Sequence, residues 1–253
     1  MEAGPHPERA SASAQGRWDF AKGYALRPQD FWMLIVGGKT DARIAQLESA
    51  SSRNAAFEAI YGECDDPWES FNPRYSYQAR KYNTVMSLLP PGRRYGRALD
   101  LGCGLGALSL LLAARSDYVL GVDVAQTAVA HARKRHGGTA NLGFQQGDIA
   151  ALPEGIEGRF DLVTIMDTLY YLPRTDDAGL DAVAEQVSGL LAPGGLCVLS
   201  NHLFAGGWDK ATRLSRRIDR AFCRSPRLAL VSRSWHPFFQ TTVLMAPAEK
   251  SLS

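Results

Sequence analysis

The chain has 253 residues, a formal net charge of +2 and an apolar fraction of 45%. This length predicts one large domain, or one domain with an extension, and the composition is too apolar for a disordered chain. The small net charge excludes the strongly basic nucleic-acid-binding proteins, and no apolar run is long enough to cross a bilayer.

The four cysteines lie without the paired spacing that zinc and redox sites require. Residues 1–16 lack the apolar segment of a signal peptide and have the low complexity of a disordered tail. We therefore expect a cytoplasmic protein without a metal site, a nucleic-acid partner or membrane insertion. The sequence leaves the oligomeric state open.

The next segment, residues 17–92, is predicted to be a helical extension. Its first part is aromatic and irregular as far as Gly37-Gly38, after which Ile44 and Leu47 have helical spacing. Apolar spacing and a closing Pro-Pro-Gly predict two further helices, at residues 54–62 and 76–89.

Residues 93–248 have a different pattern, in which short apolar strands alternate with amphipathic helices. The predicted strands are residues 97–101, 118–123, 142–145, 160–165 and 196–200. The predicted helices are residues 107–115, 126–135 and 179–191. Such alternation is typical of an α/β fold with a mostly parallel sheet and helices on both faces. Two final strands, 228–232 and 240–245, predict an antiparallel hairpin at the end of the sheet.

The first of these strands runs directly into three alternate glycines, Gly102, Gly104 and Gly106, and a helix follows them. Glycines at such a turn let the backbone approach a ligand, and the helix start offers free N–H groups. The spacing differs from the GxGxxG of dinucleotide sites, and no Gly-Lys-Ser/Thr of a P-loop follows. Asp100, two residues before the first glycine, disfavours a pyrophosphate and suits a ligand ammonium.

Further acids follow the next two strands. Asp123 ends the second strand, where one carboxylate can accept hydrogen bonds from both hydroxyls of a ribose. Asp148 follows the third strand and suits an adenine amino group, with Ile149 against the ring. Because the carboxyl ends of parallel strands share one edge, we expect these acids and the glycine loop to form one site.

This set of motifs resembles the class I S-adenosylmethionine-dependent methyltransferases from Asp100 to about Ser200. The resemblance implies a Rossmann-like three-layer αβα sandwich with a seven-stranded, mostly parallel sheet and an antiparallel last strand. It also implies S-adenosylmethionine as the cofactor. The residues that it assigns to the cofactor are Asp100, Gly102, Cys103, Gly104, Asp123, Val124, Asp148, Ile149 and Met166.

A closer resemblance is to the NodS-like nodulation N-methyltransferases, which methylate the amino group of a deacetylated chitooligosaccharide. It rests on Asp66-Pro67-Trp68, residues 77–82 (YQARKY) and residues 169–172 (LYYL). In that family the segment ahead of the sheet closes over the cofactor. The resemblance therefore implies that the extension is a lid and that Trp68 and Arg80 contact the cofactor.

Candidates for the reaction itself follow the fourth and fifth strands. Asp167 and Tyr170 come after the fourth strand, and His202 comes after the fifth. His202 is the candidate general base, because the intrinsic pKa of histidine lies near neutrality. Asp167 is a candidate for holding a cationic acceptor, and Tyr170 is a candidate for lining the acceptor pocket.

We expect methylation of a small-molecule acceptor, first of all on the amino group of a sugar or similar metabolite. O-methylation of a hydroxylated natural product is the alternative reaction. A catalytically inactive S-adenosylmethionine-binding module is the alternative outside the enzymes. DNA adenine methylation is not expected, because residues 167–170 (DTLY) replace the Asn/Asp-Pro-Pro-Tyr/Phe turn of those enzymes.

Seven arginines and one acid, Asp219, lie between Arg213 and Arg233. At helical spacing five of the arginines form one basic face, namely Arg213, Arg216, Arg217, Arg220 and Arg224. Such a face is either solvated surface or a contact for an anionic acceptor, a carrier protein or a membrane surface.

Overall fold

The computed structural model of the chain describes residues 17–18, 28–75, 77–153, 156, 159–204, 207, 209–236 and 238–248. The predicted disordered tail, residues 1–16, lies outside the described residues. One sheet with helices on both faces makes up the larger part of the described chain.

The sheet contains seven main strands and one two-residue edge strand. In chain order the strands are β1 (Arg17–Trp18), β2 (Tyr95–Leu101), β3 (Ser116–Asp123), β4 (Leu142–Gln146), β5 (Phe160–Met166), β6 (Leu191–His202), β7 (Ala229–Trp235) and β8 (Phe239–Met245). They lie side by side in the order β1-β7-β8-β6-β5-β2-β3-β4. Strands β2 to β6 are parallel, whereas β8 is antiparallel to both of its neighbours. This topology confirms the predicted fold class.

Seven α-helices occur in the described part of the chain: α1 (Pro28–Glu48), α2 (Arg53–Glu63), α3 (Tyr77–Leu88), α4 (Ala107–Ala113), α5 (Gln126–His136), α6 (Asp177–Leu190) and α7 (Lys210–Arg224). A short 3-10 helix, Leu169–Tyr171, follows β5. None of the described helices is both long enough and apolar enough to span a membrane.

Both faces of the central strands are buried under helices. Successive residues of a strand point to opposite sides of the sheet and so pack in different clusters. Leu99 of β2 and Val163 of β5 pack in the cluster that contains side chains of α6 and α7. The preceding residues of each strand, Ala98 and Leu162, pack in the cluster that contains side chains of α3 and α4. The strands are therefore apolar on both sides, and their carboxyl ends are fixed along one edge.

Two boundaries differ from the sequence prediction. Strand β6 begins at Leu191 rather than at residue 196, because Leu191 already pairs with Phe160 ahead of a register shift. Helix α1 runs through Gly37-Gly38, where the sequence predicts the end of an irregular segment. Packing of buried Ile44 against α2 offsets the cost of about 1 kcal/mol for each helical glycine.

Polar contacts attach the extension to the sheet domain. Arg53 at the start of α2 donates to the carbonyl of Tyr171 at 2.8 Å. Glu58 of α2 accepts from the backbone N–H groups of Gln126 and Thr127 at 2.5 and 3.1 Å, and from Thr127 Oγ1 at 2.6 Å. These N–H groups belong to the first turn of α5 and have no partner within that helix. The extension therefore lies across the start of α5, beside the carboxyl end of β3.

Replacement of Gly106 by alanine tests the turn between β2 and α4. Gly106 has a φ of +78°, and a Cβ there would lie 2.6 Å from the Phe144 ring and 3.1 Å from the His136 ring. We expect Gly106→Ala to lower the free energy of unfolding by roughly 2–4 kcal/mol, through left-handed strain and overpacking. Urea denaturation measures the change.

The matched control is Gly138→Ala, since Gly138 lacks a left-handed φ and has nothing within 4 Å of its added Cβ. This control is expected to stay within about 0.5 kcal/mol of the wild type. Equal stability of the two variants would show that the turn tolerates a side chain.

Candidate functional site

A cavity of about 580 Å³ opens at the carboxyl edge of the sheet. Its walls come from the segments after β2, β3, β4, β5 and β6 and from helices α1, α2 and α3. Ligands of open α/β sheets bind at this edge, because strand ends and helix starts converge there. The cavity therefore gathers the motifs of the strand ends together with residues of the extension.

The glycine loop forms one wall of the cavity. Gly102, Gly104 and Gly106 all have positive φ angles, of +74°, +51° and +78°. A Cβ on Gly102 would overlap the side chain of Thr168, so the close approach of the loop to the segment after β5 requires glycine. The wall thus presents backbone to the cavity, as a cradle for a ligand does.

Asp123 lies at the end of β3 and lines the cavity, although only 7% of the residue is exposed. Its Oδ2 accepts from the N–H of Gly104 at 2.8 Å, and its Oδ1 accepts from the N–H of Ala125 at 3.0 Å. Burial raises the pKa of this carboxyl above its usual range, and the two backbone N–H groups oppose the rise. Each oxygen keeps a lone pair for a ligand hydroxyl.

Asp100 lies behind the glycine loop and is not among the residues that line the cavity. It is 2% exposed, and it accepts from Ser109 Oγ at 2.6 Å and from Thr164 Oγ1 at 2.8 Å. Burial raises the pKa of Asp100 to about 6. Its position differs from the predicted contact with a ligand ammonium, because both oxygens are turned toward hydroxyl groups of α4 and β5.

Asp148 and Ile149 both line the cavity at the end of β4. Asp148 Oδ1 accepts from the N–H of Ala150 at 2.9 Å, and its Oδ2 pairs with the guanidinium of Arg53. Arg53 also donates to the carbonyl of Tyr171 at 2.8 Å. The first residue of α2 therefore bridges the two sides of the cavity at the place where the sequence predicts adenine.

The remaining residues assigned to the cofactor divide into two groups. Cys103, Val124, Met166 and Trp68 line the cavity, as the sequence predicts for a ligand contact. Trp68 stacks on Phe57 with ring centroids 6.2 Å apart. Arg80 is not among the lining residues, because at its position on α3 the helix turns the neighbouring Gln78 and Lys81 toward the cavity instead.

An ion pair between a buried lysine and a partly exposed aspartate lies at the end of the cavity nearest β5 and β6. Lys81 is 1% exposed, and its ammonium donates to Asp167 Oδ2 and lies 5.4 Å from the centre of the Phe239 ring. Asp167 has a φ of +49°, which is uncommon for a residue other than glycine. This strained backbone points the carboxylate at Lys81 while the side chain still lines the cavity.

Tyr170 links this ion pair to β6 and α7. Its hydroxyl accepts from the backbone N–H of His202 and from Ser215 Oγ, the latter at 3.2 Å, and lies 3.4 Å from Asp167 Oδ1. Burial, together with the charge of Asp167, raises the pKa of Tyr170 well above its usual range. The Tyr170 hydroxyl therefore stays protonated near neutral pH and links Asp167 to β6 and α7.

His202 lines the same end of the cavity, at the end of β6. Its Nε2 lies 3.5 Å from Oδ1 of Asp209, the residue that caps α7. The side chain is about one-third exposed, at 36%. The three candidates for the reaction, His202, Asp167 and Tyr170, are thus brought together as one cluster, while their chemical roles stay predictions.

The sequence reasoning did not single out three charged residues of the extension, Asp41, Arg53 and Lys81. Asp41 of α1 lines the cavity and accepts from the hydroxyl of Tyr171 at 2.6 Å. Surrounding protein raises the pKa of Asp41 above its usual range, although the cavity leaves its carboxylate accessible to solvent. These residues meet partners 86 to 130 positions away, so no local spacing could have identified them.

The cavity fits S-adenosylmethionine on three observations. The open backbone of the glycine loop gives room for the methionine part. Asp123 offers two carboxylate oxygens at the position that suits a ribose, and Val124, Ile149 and Met166 offer apolar surface for an adenine ring. The carboxylate acceptors, the apolar surfaces and the open backbone match a nucleoside with a charged tail.

The raised pKa of Asp100 gives a pH-dependent prediction. Between pH 4 and pH 6 the folded protein keeps this proton while the unfolded chain, with a pKa near 3.8, releases it. Folding is therefore favoured at the acid end of this window, and the stabilisation is lost as the pH rises through 6. Relative to Asp100→Asn, we expect the wild type to lose about 2 kcal/mol of unfolding free energy from pH 4 to pH 6.

Urea denaturation at several pH values measures this difference. The control is Asp65→Asn, since the Asp65 side chain is 93% exposed, and its difference from the wild type should stay nearly constant. A flat difference for Asp100→Asn as well would mean that Asp100 titrates normally in the folded protein.

Comparison with known proteins agrees with this geometry. Residues 98–195 match a family described as a methyltransferase domain. The ubiquinone biosynthesis O-methyltransferase of Psychrobacter arcticus is 34% identical over 137 residues, which cover 53% of this chain and 50% of that protein. The protein of the same name from Marinobacter nauticus is 31% identical over 145 residues, which cover 56% and 58%. The chain thus spans about half the length of the curated relatives it matches.

Among solved structures, the N-methyltransferase NodS from Bradyrhizobium japonicum WM9, in complex with S-adenosyl-L-homocysteine, superimposes with a TM-score of 0.61. The similarity covers 84% of this chain and 98% of NodS at 18% sequence identity. At that identity the likeness concerns the fold, and it confirms the resemblance to the NodS-like group at that level. Residues 98–195 thus match a methyltransferase-domain family in sequence, and the fold around them is similar to that of the N-methyltransferase NodS.

Proposed function

We propose that the chain transfers the methyl group of S-adenosylmethionine to an amino group of a small molecule, such as an amino sugar or a similar metabolite. The observation that carries this proposal is the charge of the cavity. Among the described residues, five carboxylates line it, against two cationic side chains and one histidine. Such a cavity favours a cationic cofactor and an acceptor that arrives as an ammonium.

Both cationic side chains are already paired within the protein. Arg53 pairs with Asp148, and Lys81 pairs with Asp167. In the described part of the chain, no lysine or arginine lies within ion-pair distance of Asp41, which accepts from the Tyr171 hydroxyl. Asp41 is therefore the carboxylate that we assign to the acceptor ammonium.

When bound, S-adenosylmethionine supplies an electrophilic methyl group on a sulfonium, so the protein mainly positions two reactants and excludes water. We assign the glycine loop to the methionine part, Asp123 to the ribose, and Asp148 with Ile149 to the adenine. Residues 17–92 act as the lid in this proposal, since α1 and α2 complete the cavity wall.

An amine attacks a methyl group only as the free base, so a proton must leave the acceptor first. We assign this proton to His202, which lines the same end of the cavity and whose Nε2 lies 3.5 Å from a carboxylate oxygen of Asp209. Tyr170 positions His202 through the backbone N–H of that residue. Lys81 pairs with Asp167 and positions this carboxylate beside the acceptor, where a negative charge favours the cationic product.

O-methylation of a hydroxylated compound is the second candidate function. It is favoured by the names of the curated relatives, which are ubiquinone biosynthesis O-methyltransferases. Aromatic side chains also line the cavity, among them Trp68, Tyr77 and Phe238. A hydroxyl acceptor would use the same base, His202, but would have no need of a carboxylate at Asp41.

Replacement of Asp123 tests the cofactor site. We expect Asp123→Ala to weaken S-adenosylmethionine binding by about tenfold or more, because a charge-assisted pair of hydrogen bonds is lost. Isothermal titration calorimetry measures the dissociation constant. The control is Asp117→Ala at the exposed start of the same strand, where the carboxylate pairs with Arg94. An unchanged dissociation constant for Asp123→Ala would mean that the ribose lies elsewhere.

Replacement of Asp41 separates the two candidate reactions. With a panel of amino sugars and phenols as acceptors, we expect turnover of an amine by the wild type. We expect Asp41→Asn to raise the KM for that amine about tenfold while leaving S-adenosylhomocysteine binding unchanged. Asp65→Asn is the control, because its side chain is 93% exposed. Transfer of radiolabelled methyl measures both constants.

Each other outcome points to a different function. O-methylation would be favoured if the protein methylated phenols alone and if the wild type and Asp41→Asn had equal KM values for the phenol. Cofactor binding without turnover of any acceptor would favour a binding module without catalysis. Failure of the wild type to bind either S-adenosylmethionine or S-adenosylhomocysteine would overturn the proposal as a whole.

A further inference from the structure

A second cavity of about 510 Å³ lies between α7 and the adjoining ends of β7 and β8. Its walls carry five arginines and one large aromatic ring, which are Arg213, Arg216, Arg217, Arg220, Arg233 and Trp235. We call this cavity the arginine groove. Four of the five arginines of the basic face that the sequence predicts therefore line one shallow, open groove.

The acids near the arginine groove do not neutralise it. Asp219, which also lines the groove, accepts from Arg233 at 2.6 Å and from Thr242 Oγ1 at 2.5 Å, so its charge is paired with Arg233. Arg217 donates to Asp177 at 3.0 Å.

In the described part of the chain, no acid lies within ion-pair distance of Arg216 or Arg220. Arg220 donates through its Nε to the carbonyl of Arg216 at 3.3 Å. Two guanidinium groups thus face one small volume without a counter-charge from described residues.

This arrangement costs stability in the empty protein. Arg216 and Arg220 are four residues apart on α7, and like charges at this spacing repel one another. Guanidinium groups that share a concave site form forked pairs with phosphate oxygens, and a bound dianion would turn the repulsion into attraction. The charge of the groove therefore complements a phosphate or diphosphate group.

The arginine groove is a close neighbour of the acceptor end of the main cavity. Trp235 pairs with Gln240 across β7 and β8, and Gln240 pairs with Asn201 across β8 and β6, one residue before His202. Two strand spacings separate the groove from β6, which is about 10 Å.

Helix α7 lies between the two cavities. Ala211 lines the main cavity and Ser215 donates to the Tyr170 hydroxyl, while the arginines of the same helix line the groove. The two cavities are thus close enough for one elongated small molecule to contact both of them.

We propose that the arginine groove binds a phosphate or diphosphate group of the methyl acceptor. The acceptor class is then a phosphate-bearing amine, with its amino group beside Asp41 and His202 and its phosphate on Arg216 and Arg220. This inference rests on the proposed function, because it assigns the second half of the same substrate.

Inorganic pyrophosphate is the probe for the test, and calorimetry with the full chain is the measurement. We expect the wild type to bind pyrophosphate, and the double variant Arg216→Gln/Arg220→Gln to bind it about tenfold or more weakly. The matched control is Arg224→Gln. Arg224 lies on the same helix, pairs with Asp181 and does not line the groove. The control should bind pyrophosphate as the wild type does.

A second arm identifies the source of the phosphate. Glucosamine 6-phosphate should displace pyrophosphate from the wild type, whereas glucosamine should not. Thermal unfolding should show the double variant to be at least as stable as the wild type, because the repulsion on α7 is removed. S-adenosylhomocysteine should bind equally to all variants, which keeps the result independent of the cofactor site.

Three outcomes would overturn the inference. In the first, the wild type does not bind pyrophosphate at millimolar concentration. In the second, Arg224→Gln weakens pyrophosphate binding as much as the double variant does. In the third, the arginines bind anionic vesicles or duplex DNA but not pyrophosphate. Failure of the wild type to bind S-adenosylhomocysteine would instead contradict the proposed function. A failure of the phosphate inference can therefore be distinguished from a failure of the proposed function.

Discussion

The hydrogen bonds of the Asp123 carboxylate hold the cofactor site together. By accepting from the N–H groups of Gly104 and Ala125, this buried side chain joins the glycine loop after β2 to the turn between β3 and α5. The loop can then turn through left-handed glycines and leave its backbone open to a ligand. Removal of Asp123 would leave two buried N–H groups without partners, so its role in the fold and its proposed role toward the ribose cannot be separated.

The acceptor side depends on pairs that join the extension to the sheet. Lys81 reaches Asp167, Arg53 reaches Asp148, and Tyr171 reaches Asp41. Each pair places one partner on a helix ahead of the sheet and the other at or beside a strand end. Because at least one partner of each pair is partly exposed, these pairs fix geometry more than they add stability. The sheet therefore supplies a general cofactor site and the excess of carboxylates, and the extension completes the second half of the cavity with two acids and two cationic side chains.

The strand ends could be predicted from the sequence because their signals are local. Short windows of sequence contain the glycine spacing, the acid after each strand and the apolar periodicity of the strands. Strands β2 to β5 accordingly occur within a few residues of the predicted bounds. The position of Arg80 could not be predicted, since a shift of one residue rotates a side chain by about 100° around a helix. Asp41, Arg53 and Lys81 could not be found at all, because their partners are distant in sequence.

The contact of Glu58 with the first turn of α5 has a consequence for how this chain can be divided. A helix of a globular domain normally takes its N-terminal cap from the residue just before it, but Ala125 offers no side-chain hydrogen bond here. The cap comes instead from a carboxylate 68 positions upstream. Grafting a different extension onto this sheet would therefore expose the N–H groups of α5 beside the end of β3. The extension and the sheet therefore depend on each other at this contact. A chimaera made from two relatives would have to take both segments from the same protein.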